Sequence, residues 1–270
     1  MGPSIQTRPI AAASWLLGKA ILLTGRSAHA LEAPDARDSV HPCRPTISCT
    51  ADLTSPGTLE IEARELYSAA SGGAHVASFP VTLKQTFTPL LQVQVGSNGY
   101  TFFGPMPRAH YLDNVVFGPK LHLHDQGDVS PSLAVSAQLS EPAFAAGGYT
   151  RREDAFFTRF ASKDIGPVHG DLNVGLDVWQ LASTPSPQVF TALALSTQLS
   201  SLLSVALEGY VFSDAAPVAS RDGGIRAVFG FAVRPWLVVD MGGDAGFFPD
   251  TRAYSLFLGA TVIPAVWWRP

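Results

Sequence analysis

Residues 188–213 read QVFTALALSTQLSSLLSVALEGYVFS, residues 223–247 read GGIRAVFGFAVRPWLVVDMGGDAGF, and residues 252–262 read RAYSLFLGATV. Within them Leu203, Val205, Leu207 and Val211 alternate with Ser204, Ala206, Glu208 and Tyr210. Further on, Ile225, Ala227, Phe229, Phe231 and Val233 alternate with Arg226, Val228, Gly230, Ala232 and Arg234. A period of two places the two sets on opposite faces of a strand. One face is large and apolar, the other small, polar or charged. A soluble sheet lays such an apolar face on a core, whereas a transmembrane barrel lays it on lipid. The rest of the chain decides between them.

The same alternation recurs upstream. Leu172, Val174, Leu176 and Val178 oppose Asp171, Asn173, Gly175 and Asp177, and Leu133, Val135, Ala137 and Leu139 share a face over 131–140. Leu121 and Leu123 stand against Lys120, His122 and His124. Leu91, Val93 and Val95 stand against Gln92 and Gln94. Phe79, Val81 and Leu83 oppose Thr82 and Lys84, with Pro80 marking a bulge or a strand start because it cannot donate to a ladder. Leu59, Ile61 and Ala63 oppose Glu60, Glu62 and Arg64, and Phe156, Thr158 and Phe160 share a face. Together with the C-terminal runs, these predict about twelve strands.

Charge and loop pattern favour lipid. The chain is 46% hydrophobic and only 15% charged, where a soluble domain carries about 25% charged residues. The breaks alternate. Loose ones (SAASGGAH, GSNGYTFFGPMPRAHYLD, SEPAFAAGGYTRRE, LASTPSP, SDAAPVASRDG, FFPDTRA) are interleaved with tighter ones (FTP, DQGDVS, DIGPVH, LSS, RPW). Outer-membrane barrels have short periplasmic turns and longer outer loops. Aromatic residues near strand ends, among them Tyr67, Phe87, Tyr100, Trp179, Phe212, Trp236, Phe247, Trp267 and Trp268, suit the headgroup level. The expected fold is all-β: a single transmembrane antiparallel β-barrel of the outer-membrane type over 57–270. A net charge of -4 gives no basic patch for nucleic acid.

The N-terminal part is of a different material. Arg8, the apolar stretch 10–23 and the Ala28-His29-Ala30 cleavage pattern predict an export signal over 1–30. Residues 31–56 are Pro- and Asp-rich without periodicity and read as an irregular periplasmic extension. This stretch holds the only cysteines, Cys43 and Cys49, which in an exported protein are expected to form a local disulfide. The spacing is not that of a metal or redox motif.

The stretches PGTLEIEARELYS, FTPLLQVQVGSNGY at 87–100, NVVFGPKLHLHDQG, GDLNVGLDVW and TALALSTQLSSLLSVALEGY, in that order, resemble the outer-membrane transporter proteins of the MetA-pathway of phenol degradation family. The likeness spans roughly 45–264 and implies an exported barrel that takes up aromatic hydrocarbons, with no catalytic motif. The chain departs from that pattern at its end, PAVWWRP, where barrels of this kind finish on an aromatic residue.

The lumen is expected to carry Glu60, Glu62, Arg64, Lys84, Lys120, His122, His124, Asp171, Asp177, Glu208, Arg226, Arg234, Asp240 and Asp244, paired across strands because buried charges need partners. The break over 96–112 puts Tyr100, Phe102, Phe103, Met106 and Tyr111 on an outer loop. As an exposed apolar patch it is a candidate plug, solute-capture site or adhesive surface. Nucleophilic catalysis needs a nucleophile beside its base. His75 with Ser78, or His110, are the candidates for an outer-membrane lipid hydrolase, but no G-x-S-x-G elbow accompanies them. His122 and His124 lack a nearby third metal ligand. No cofactor, metal or catalytic residue is expected. The expected partners are outer-membrane lipid, the outer-membrane insertion machinery and a small hydrophobic solute. The function expected is passive passage of that solute, and the alternative is a closed structural or adhesive barrel acting through its outer loops.

Overall fold

The structure is a computed structural model that describes residues 39–43, 46–70, 73–104, 109–141, 154–181, 184–215, 220–248 and 252–269. The expected signal over 1–30 and the extension as far as 38 lie outside the described residues.

The strand segments are β1 (Thr58–Ala69), β2 (His75–Ser78), β3 (Val81–Thr88), β4 (Leu91–Ser97), β5 (Tyr100–Gly104), β6 (Ala109–Leu112), β7 (Val115–His124), β8 (Ser132–Glu141), β9 (Asp154–Ile165), β10 (Val168–Leu181), β11 (Thr184–Gln198), β12 (Leu203–Phe212), β13 (Asp222–Arg234), β14 (Leu237–Gly246) and β15 (Tyr254–Val266). Both β2 and β3 pair with β1, β5 pairs with β2, and β4 with β3; β6 and β7 then pair with β5 and β4. Each of these three couples is one strand interrupted briefly, so the segments make a sheet of twelve antiparallel strands. Pro80 stands at such an interruption, immediately before β3. The last segment, β15, pairs with β1 from Thr58↔Val266 to Ala69↔Tyr254 and closes the barrel. Closure is what hydrocarbon demands, since no water is there to satisfy a free edge.

The wall is inside out relative to a soluble protein. Lys84 and Lys120 are 2% and 1% exposed and Glu60 and Glu208 are 0%, while Leu207, Leu258 and Phe229 are 57%, 51% and 46% exposed. Ordinary globular domains bury leucine and expose lysine. Here the polar set of most strands faces the lumen and the apolar set faces outward to lipid, β9 being the departure. Leu176→Arg and Phe229→Arg are therefore expected to block assembly in lipid, each placing a charge in hydrocarbon at a cost of about 2–4 kcal/mol near the midplane. Asp177→Asn, on the lumen face, assembles normally. The check is the heat-sensitive shift in electrophoretic mobility after refolding into vesicles, and equal folding of all three would refute the assigned faces.

Several expectations need correction. The span 96–112 is not an outer loop. β5 and β6 continue the wall as a paired hairpin, Tyr100↔Leu112 to Phe103↔Ala109. The break after β10 is likewise nearly absent, with Leu181 paired to Thr184. Backbone pairing persists in both places, and over 100–102 exposed Tyr100 and Phe102 alternate with buried Thr101 out of phase with Leu91, Val93 and Val95, so the stretch does not read as a continuation of that strand. Phe156, Thr158 and Phe160 do share a face, but it is the lumen face, with Phe160 buried. Trp179 and Phe212 also point inward, in phase with buried Asp177 and Tyr210. His124 and Arg234 stand exposed beside turns, each next to a shift of register that takes it out of the lumen row.

Candidate functional site in the barrel lumen

The polar faces of the strands converge on a common interior. Lys84, Lys120, His122, Asp171, Asp177, Glu208, Arg226 and Asp240 all carry their side chains there. Cross-strand register makes the ion pairs. Glu60 is directly opposite Lys84, whose ammonium meets Glu60 and lies 2.5 Å from Glu62. Glu208 is opposite Arg226, and Arg226 opposite Asp244, with N–O separations of 3.5 and 2.8 Å. Arg252 extends this ladder to Asp222 at 2.7 Å and to the Tyr210 hydroxyl at 2.7 Å.

The interior is not empty. Residues 39–54, expected outside the barrel as a periplasmic extension, have their described part within it. The segment has no strand period, so its backbone amides find no ladder and bond instead to lumen side chains. Glu60 accepts from the His41 amide at 2.7 Å and Glu62 from the Cys43 amide at 2.8 Å. Lys84 donates to the His41 carbonyl at 2.8 Å. Glu208 accepts from the amides of Ile47 and Ser48 and from the Ser48 hydroxyl, at 2.9, 2.6 and 2.6 Å. Lys120 donates to the Thr50 carbonyl at 2.5 Å, and Ser162 Oγ accepts from the Ala51 amide at 2.7 Å and donates to Asp171 at 2.6 Å. The Asn173 amide brackets the backbone of Cys49, and Thr54 bonds Thr86. Charge-assisted bonds of this kind are roughly twice as strong as neutral ones. The Cys43–Cys49 disulfide closes the turn of the segment, which packs against Ala134 and Phe160.

Beyond the segment, toward the ends of the strands opposite the short turns, the lumen is ringed. Phe156 meets Trp179 edge-on at 5.6 Å, and Phe190 stacks on Phe212 at 5.2 Å. The Arg226 guanidinium lies over Tyr210 and Phe257 at 5.4 and 5.7 Å. Of the candidates in 96–112, Tyr100 and Phe102 pack edge-on at 4.7 Å on the outer face. Phe103 stands on the opposite face and is exposed. The Tyr111 backbone pairs with Thr101, while its side chain and Met106 lie outside the described residues. The hydrolase candidates do not come together. His75 stacks on Tyr67 at 6.0 Å, while Ser78, an odd number of residues on, is buried on the other face. The His110 side chain is outside the described residues.

A closed barrel with a polar lumen and an apolar belt is an outer-membrane β-barrel. Its fold is similar to that of the COG4313 outer membrane channel from Pseudomonas putida F1, with a TM-score of 0.58 and 12% identity over 79% of this chain and 97% of that one. It is also similar to the NanC porin, with a TM-score of 0.54 and 8% identity over 75% of this chain and 98% of that one. No protein-family model matches the chain, and no curated protein matches it in sequence.

Proposed function

We propose that the barrel is a passive outer-membrane channel for small solutes bearing an aromatic or comparable apolar group. The observation that carries this reading is the set of inward rings, Phe156, Trp179, Phe190, Tyr210 and Phe212, on the outer side of a segment held by hydrogen bonds rather than by strand pairing. A ring entering from outside meets stacking partners first and the polar anchors of the segment next. The resemblance to the phenol-degradation transporter family and the channel fold of the Pseudomonas putida protein support the same reading. The chain carries no phosphate-binding G-x-x-x-x-G-K-[ST] loop for nucleotide-driven uptake.

Swelling of vesicles containing the purified protein tests it. An aromatic carboxylate is expected to enter faster than an aliphatic carboxylate of the same charge and volume, by about threefold to tenfold, the value of a ring–ring contact. Phe156→Ala with Trp179→Ala removes the difference. Equal rates in the wild type would defeat the aromatic preference. No flux and no conductance would leave the second reading, a closed barrel acting through its outer loops, which the filled lumen favours.

A further inference from the structure

The lipid-facing side of β9 breaks the rule of an uncharged belt. Phe157, Arg159, Ala161 and Lys163 share that outer face, opposite the row of Phe160 and Ser162, which are buried in the lumen. Arg159 is exposed near the middle of the strand, between Val135 on β8 and Val174 on β10. Among the described residues it has no ion pair or hydrogen bond. Lys163, nearer the short turn after Ile165, donates to the carbonyls of Gly127, Asp128 and Ser130, with the Asp164 carboxylate close enough to interact electrostatically. Four residues of strand separate the two cations by about 13 Å, with only the small Ala161 between them on that face. The carbonyls of the turn hold the Lys163 ammonium there, so the Arg159 guanidinium is the group whose tip can lie over Ala161.

Arg159 also borders a groove on the outside of the wall, of about 580 Å³, whose apolar lining includes Pro119, Leu121, Ala137, Phe157, Leu176 and Val189. The order along the barrel is informative. From the short turn outward come Lys163, then Arg159, then the apolar groove. Short turns face the periplasm in barrels of this kind, so the cations lie on the headgroup side and the groove on the midplane side. A phospholipid of the periplasmic leaflet has that order of parts.

We propose that this face is a binding site for an anionic phospholipid, its phosphate held by Arg159 on the side of the carbonyl-bound Lys163 and one acyl chain laid in the groove over Ala137. The site is separate from the lumen and does not depend on what the channel passes. Its charge complementarity explains an arginine that hydrocarbon otherwise disfavours. The test is native mass spectrometry of the full barrel, released from micelles containing equal amounts of phosphatidylglycerol and phosphatidylcholine with identical chains. The wild type is expected to retain phosphatidylglycerol about fivefold over phosphatidylcholine, the preference one basic residue near the membrane surface confers. Arg159→Lys keeps the preference. Arg159→Leu and Ala137→Phe abolish it, the first by removing charge and the second by filling the groove with both cations intact. Neither substitution touches the lumen or a strand pairing, and heat-shifted mobility reports that each variant has folded. Equal retention of the two lipids by the wild type, an unchanged preference in both variants, or an Arg159-dependent dimer in place of bound lipid would each overturn the proposal.

Discussion

Deleting residues 40–53 is expected to raise single-channel conductance in planar bilayers by roughly an order of magnitude, because the lumen of a barrel is as wide as its strand number allows and this segment crosses it. The wall should survive the deletion. Its ladders run strand to strand from β1 round to β15, and the segment's backbone bond to the wall, Val40 to the Pro235 carbonyl at 3.1 Å, belongs to no ladder. Its other anchors are lumen side chains, which water will solvate once the space is open. Partial release follows the same logic. Glu208→Gln weakens three bonds to Ile47 and Ser48 and is expected to give brief openings to the conductance of the deletion variant. A deletion variant that folds, shifts with heat and conducts like the full chain would show that residues 39–54 do not limit the pore.

The wall was legible because lipid imposes a rule that water does not: outward residues apolar with few exceptions, every second residue inward. That rule reads Leu172 to Val178 and Ile225 to Val233 directly. It also reads more than was taken from it. Trp179 falls in the phase of Asp177, and Phe212 in the phase of Glu208 and Tyr210, so alternation alone points both rings inward although their strand-end positions suit a headgroup belt. The rule fails where the phase slips. Leu91, Val93 and Val95 face outward, but beyond Asn98 and Gly99 the outward residues are Tyr100 and Phe102, one position out of step. Gly99 has a φ of 66°, and a side chain there would run into the Phe79 carbonyl, so the slip is built on a residue without one. Residues 39–54 carry no period at all, since their partners are scattered side chains rather than a neighbouring strand. The available signal was indirect. Glu60, Glu62 and Glu208 are lumen carboxylates beyond what Lys84 and Arg226 alone fully satisfy, and surplus buried acceptors call for donors from elsewhere in the chain.

Replacing Lys84 by Met is expected to be the most damaging single change in the lumen. The ammonium is shared by Glu60 and Glu62 and also donates to the His41 carbonyl, and all three ionic groups are nearly or fully buried. A methionine of similar length fills the space but leaves two neighbouring carboxylates facing each other in a site shut off by the inserted segment. Removing one partner of a buried ion pair costs about 3–5 kcal/mol, far more than the pair itself contributes over a neutral replacement. The loss should appear as a lower urea midpoint for unfolding in micelles, with the slope unchanged. It should also loosen residues 41–43, because the carboxylates that accept from the His41 and Cys43 amides are the same two. Neutralising both acids together, Glu60→Gln and Glu62→Gln with Lys84→Met, is expected to recover most of the midpoint, since glutamine carbonyls still accept from those amides and no charge is left stranded. In the chain lacking 40–53 the penalty for Lys84→Met should shrink, as water then reaches both carboxylates. A full penalty in the open barrel would mean that the segment does not seal this site, and no penalty in the intact one would mean that water already solvates Glu60 and Glu62 beneath it.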